Sequence, residues 1–94
     1  MTIRQMILQR FKVRYLAGNN DFINGGAIEL YIANNGHKGG TANRELRLMQ
    51  EDGLLEKEYR QMVNSKNESV WYRYVPTEKE LTAFEYRYGK TTNT

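Results

Sequence analysis

At Gly53 the hydrophobic pattern of this chain changes period, and that change most restricts what it can fold into. Before Gly53, apolar residues recur every three or four positions, as they do along one face of a helix. After it, residues 54–63 alternate. Leu55, Lys57, Tyr59, Gln61 and Val63 fall on one side, and Leu54, Glu56, Glu58, Arg60 and Met62 on the other. That is strand geometry. The polar stretch Asn64-Ser65-Lys66-Asn67-Glu68-Ser69 then turns the chain into Val70-Trp71-Tyr72-Arg73-Tyr74-Val75. This second run is dense in β-formers, and Pro76 closes it. A β-hairpin thus follows a helical segment, and the class is α+β.

Three helices precede the hairpin. Thr2 caps a first one over Ile3 to Leu16, with Ile3, Met6, Ile7 and Phe11 on one face. Gly18-Asn19-Asn20-Asp21 is a loop, and Phe22-Ile23 a minimal strand. A second helix runs from Ala27 to Asn34 around Ala27, Ile28, Tyr31 and Ile32, and Asn35-Gly36 stops it. Thr41 caps a third helix, in which Ala42, Leu46 and Met49 share a face opposite Asn43, Arg44, Arg47 and Gln50. After the hairpin, Thr77 and Glu80 form a capping box for a last helix with the stripe Leu81, Phe84 and Tyr88. Three helices form a core, and the hairpin closes it with Leu54, Trp71 or Tyr72. Tyr59 and Tyr74 are expected to pair across the strands. Residues 1–88 make one domain, and 89–94 a frayed tail.

Composition narrows the function. The chain has 94 residues, no cysteine and one histidine, His37. Thiolate metal sites, disulfide frameworks and paired-His metal motifs are therefore excluded. The acidic residues sit in turns or on polar faces, and no glycine run has phosphate-loop spacing. The chain reads as a non-enzyme without a cofactor or bound metal. No apolar run is long enough to span a bilayer and no signal sequence is evident, so a cytoplasmic location is expected. Net charge is +3, from 14 Lys and Arg against 11 Asp and Glu. The excess lies in the first 20 residues, in Arg4, Arg10, Lys12 and Arg14. The third helix is nearly balanced, since Glu45, Glu51 and Asp52 offset its bases.

The run Gly25-Gly26-Ala27-Ile28-Glu29-Leu30, the turn at Gly36, and the helix 41–52 leading through Gly53-Leu54-Leu55-Glu56 carry a resemblance. With the hairpin and Trp71-Tyr72-Arg73-Tyr74 they resemble a winged helix-turn-helix domain of the small phage and prokaryotic type. The likeness covers roughly residues 3–76. It implies sequence-specific binding of double-stranded DNA by a transcriptional regulator. Helix 41–52 would enter the major groove, and the wing at 60–69 would rest on the backbone or minor groove.

On that reading Thr41 meets phosphate or a base at the helix N-terminus. Asn43, Arg44 and Arg47 offer the donors that read adenine and guanine edges. Lys38 reaches phosphate from the turn, and Arg60, Lys66 and Arg73 clamp from the wing. Gln50 is expected beyond the groove, and the N-terminal bases add contacts only where the first helix nears the duplex. The polar face of a helix also needs no partner but water. The competing reading is a winged-helix protein-interaction or assembly module without DNA readout. A third is single-strand binding through Trp71, Tyr72 and Tyr74. The last helix offers Leu81, Phe84 and Tyr88 either as a homodimer seam or as closure of the domain's own core.

Overall fold

The computed structural model describes residues 1–61, 63 and 66–89. Its elements run α1 (Ile3–Leu16), β1 (Ile23–Asn24), α2 (Gly25–Asn34), α3 (Gly39–Glu51), β2 (Leu55–Gln61), β3 (Glu68–Tyr74) and α4 (Glu78–Tyr88). Among the described residues there are thus four helices and one three-stranded antiparallel sheet, ordered β1-β3-β2. No described helix is long and apolar enough to cross a membrane.

The helix ends follow from local chemistry. At α1 the Thr2 hydroxyl accepts the Gln5 N–H at 3.1 Å, and the Gln5 side chain accepts the Thr2 N–H at 2.8 Å. At α4 Thr77 and Glu80 make the same reciprocal pair, at 3.2 and 3.0 Å. Each box satisfies two donors that a helix start leaves open.

α2 begins at Gly25, two residues before the expected Ala27, because the Asn24 side chain accepts the Gly26 N–H at 2.7 Å. Glycine is needed there. A β-carbon on Gly25 would stand 3.2 Å from the Val70 carbonyl oxygen and 3.3 Å from the Tyr72 ring. α3 ends in a Schellman closure. Gly53 takes φ +79°, the Leu54 N–H reaches the Met49 carbonyl at 2.9 Å, and the Gly53 N–H reaches that of Gln50 at 3.1 Å.

One cap differs from expectation. Thr41 does not begin α3. The helix starts at Gly39, with Lys38 at the cap position and no side-chain cap. The Thr41 N–H already bonds to the Lys38 carbonyl at 3.1 Å, which closes the first turn through Gly39 and Gly40.

The core forms where the three helices converge. Ile7, Phe11 and Tyr15 of α1 meet Ile28 and Ile32 of α2 and Ala42, Leu46 and Met49 of α3. Ile23, Leu55, Tyr72 and Tyr74 close it from the sheet. The lid is therefore built from alternate strand residues on one sheet face. Leu54 packs only at its margin, and Trp71 belongs to the other face. The expected Tyr59–Tyr74 pair does not form. The turn sets Gln61 opposite Glu68, so Tyr59 falls opposite Val70 and Tyr74 opposite Leu55. β2 runs from Leu55 to Gln61 rather than to Val63, and only Leu55 along it is buried.

α4 is fastened lightly. Half-buried Phe84 stacks on Tyr15, with ring centroids 4.8 Å apart. The Tyr74 hydroxyl donates to Glu80 Oε1 at 2.6 Å, and the Tyr88 hydroxyl donates to the Leu16 carbonyl at 2.8 Å. No residue of α4 is buried, and Leu81 and Tyr88 stay exposed. With the hairpin and α4 projecting from the core, the radius of gyration is 14.3 Å, against about 12 Å for a compact chain of this length. Of the expected tail, Gly89 follows α4 with φ +83°, and residues 90–94 lie outside the described residues, as do Met62, Asn64 and Ser65 of the hairpin end.

Candidate functional site

Helical periodicity divides the side chains of α3 into flanks. Ala42, Leu46 and Met49 enter the core. Asn43, Arg47 and Gln50 lie on the flank toward the hairpin, where they line a cleft of about 500 Å³. Thr41, Glu45 and Asp52 lie on the opposite flank, toward α1. Arg44 and Glu51 stand between the flanks and point away from the core.

The other wall of the cleft is the core-side face of the sheet. Lys57 stands opposite Tyr72 and Tyr59 opposite Val70, so all four project to one side. All four line the cleft, whose end is formed by Asn24, Gly25, Gly26 and Glu29. Burial pushes the Tyr72 phenol above its usual pKa, while the charges of Lys57 and Arg47 pull it back. Both cations therefore act on the cleft floor from opposite walls. Lys57 Nζ sits 5.4 Å from the centroid of the Tyr59 ring. Among the described residues, the single carboxylate lining the cleft is Glu29.

The acidic flank of α3 is neutralised from within. Arg4 Nε donates to Glu45 at 2.8 Å, and Arg4 Nη1 to Asp52 at 2.8 Å. Arg4 thereby ties α1 to α3 and to its C-cap residue Asp52. Among the described residues, neither Arg44 nor Arg47 forms a salt bridge, so the near-balance of charge along α3 is not a pairing within it.

The structure separates the eight residues singled out from sequence. Asn43 and Arg47 share the cleft, and exposed Arg44 flanks it. Lys38 is exposed at the start of α3, and Lys66 is exposed in the hairpin turn. Thr41 is exposed but lies on the α1 flank, away from Asn43.

Arg60 and Arg73 are on the far face of the sheet. Arg73 donates twice to Glu56 Oε1, at 2.9 and 2.7 Å, with its guanidinium carbon 4.5 Å from the Phe22 ring centroid. Arg60 donates to Glu58 at 2.7 Å and lies 4.4 Å from a Trp71 ring centroid. Cross-strand register explains this placement, since Glu56 faces Arg73 and Glu58 faces Trp71.

Lys57, Tyr59, Gln50 and Glu29 join the site unexpectedly. Strand alternation set the first two on the side of Leu55, but Leu54 was expected to close the core, so that side was not read as the core face. The stacking role considered for Tyr72 and Tyr74 does not fit the structure, because both rings are buried in the core, at 7% and 3% exposure. Comparison with protein-family models, with curated proteins and with solved structures returns no match.

Proposed function

We propose that this chain binds double-stranded DNA sequence-specifically, as a small winged-helix regulator. Segment 41–52, from α3 to its C-cap residue Asp52, enters the major groove, and the hairpin around 60–69 follows the adjacent backbone or minor groove. The observation that carries this reading is the sorting of charge around α3. Asn43, Arg47 and Gln50 share a cleft with Lys57, while Glu45 and Asp52 are turned away and held by Arg4. A duplex needs that combination. Side-chain amides and guanidinium groups read base edges in pairs of hydrogen bonds, and the flanking cations hold phosphates without reading sequence.

Within this reading Arg47, Asn43 and Gln50 face bases, with Arg44 beside them. Lys38, Lys57 and Lys66 face phosphate. Arg60 and Arg73 are spent on Glu58 and Glu56 and contribute little. Lys57 replaces them as the contact from the hairpin. A single module of this size covers few base pairs and binds modestly.

The test is selection of binding sites from a random duplex pool, followed by fluorescence anisotropy on the enriched sequence. An enriched site that Arg47→Ala loses supports the reading. A pool that stays random while the protein is folded contradicts it.

A further inference from the structure

We infer that the free flank of α4 is an antiparallel self-association surface whose occupant is a second copy of this chain. α4 buries none of its residues, and beside it an open groove of about 830 Å³ runs along Leu16, Ala83, Phe84 and Tyr88. Tyr86, on the same helix, is 94% exposed. Phe84 and Tyr88 are turned toward α1. A seam through Leu81, Phe84 and Tyr88 would have to share those two residues with the chain's own fold, so the available face is the next flank.

The charge pattern of that flank identifies its partner. Lys79 and Tyr86 are seven residues apart, and so are Glu80 and Arg87, so each pair lies along one edge of the helix with Ala83 between the edges. All five residues border the groove. Antiparallel two-fold pairing keeps like edges together and reverses their order. An axis beside Ala83 then sets Ala83 against Ala83 of the second copy, Glu80 opposite Arg87, and Lys79 opposite the Tyr86 ring, each twice. Opposite charges meet, the cation meets an aromatic face, and the small residue falls where the helices come closest. Both internal bonds of Glu80 fall on Oε1, which leaves Oε2 for Arg87 of the second copy. Among the described residues, the groove shares no lining residue with the α3 cleft, so pairing leaves both clefts open.

The absence of cysteine makes the test clean. Full-length Ala83→Cys, at an exposed position, should form a disulfide-linked dimer under mild oxidation far faster than Glu29→Cys, which sits in the α3 cleft. Sedimentation velocity at high micromolar concentration should show a concentration-dependent dimer for the wild type. Arg87→Glu and Ala83→Arg should each lose it while keeping the circular dichroism of the wild type. A wild type that stays monomeric overturns the inference. So does a dimer that both substitutions leave intact, or equal cross-linking at positions 83 and 29. None of these outcomes depends on whether the protein binds DNA.

Discussion

Replacing Tyr74 by Phe isolates the bond that ties the end of the hairpin to α4. The Tyr74 hydroxyl donates to Glu80 Oε1 at 2.6 Å, and the same oxygen accepts the Thr77 N–H at 3.0 Å. A hydrogen bond to an ionised acceptor contributes about 1.5–3 kcal/mol. Glu80 keeps its Thr77 partner and is partly in water, so the lower end applies, and Tyr74→Phe should cost about 1–2 kcal/mol. In a domain of this size that lowers Tm by roughly 5–10 °C.

The effect should depend on pH. Burial raises the pKa of Glu80, but hydrogen bonds from Thr77 and Tyr74 outweigh burial and leave it below the usual value. A carboxylate that holds its proton less tightly when folded stabilises fully above its unfolded pKa, about 4.3. That contribution is lost as pH falls through the lower folded value. Thermal melts of wild type and Tyr74→Phe should therefore differ at neutral pH and converge in acid. A double cycle with Glu80→Gln should show most of the neutral-pH gap as coupling. A gap below about 0.3 kcal/mol at neutral pH, smaller than the usual non-additivity between sites, would refute the assignment. So would a gap that persists unchanged once Glu80 is protonated.

Four further expectations follow from named contacts. Leu46 is fully buried in α3, so Leu46→Ala should lose about 2–5 kcal/mol in urea unfolding, a large part of the stability of a domain this small. Gly53→Ala forces a β-carbon into the left-handed region at φ +79° and should cost about 1–2 kcal/mol by the same measurement. In duplex binding, Arg47→Ala should lose about 1–3 kcal/mol if the arginine pairs with a base. Arg73→Ala, already committed to Glu56 and Phe22, should bind as the wild type does.

The helices were legible because their signals are local. The cap at Thr2, the box at Thr77, the stripe Ala42, Leu46 and Met49, and the stop at Gly53 each lie within a few residues. The change of period at Gly53 likewise marked where the hairpin begins. Cross-strand register was not legible, because it depends on how many residues the turn consumes. Tyr74 therefore met Leu55 and not Tyr59. The candidate site was split for another reason. Alternation already set Lys57 and Arg60 on opposite sides of the strand, but Leu54 was expected in the core, and it is the Leu55 side, with Lys57, that shares a cleft with Arg47. The tie of Arg4 to Glu45 and Asp52 spans 41 and 48 residues, and no local pattern announces it.

The proposal that α3 and the hairpin hold a duplex is tested most directly by salt. Each phosphate neutralised by Lys or Arg adds about −0.9 to the slope of log K against log salt on duplex DNA. With Lys38, Lys57 and Lys66 on phosphates, the slope for the wild-type protein should be about −2.7, and Lys57→Ala should make it shallower by about one. A binding constant that does not change with salt, or a slope that Lys57→Ala leaves untouched, would contradict the account.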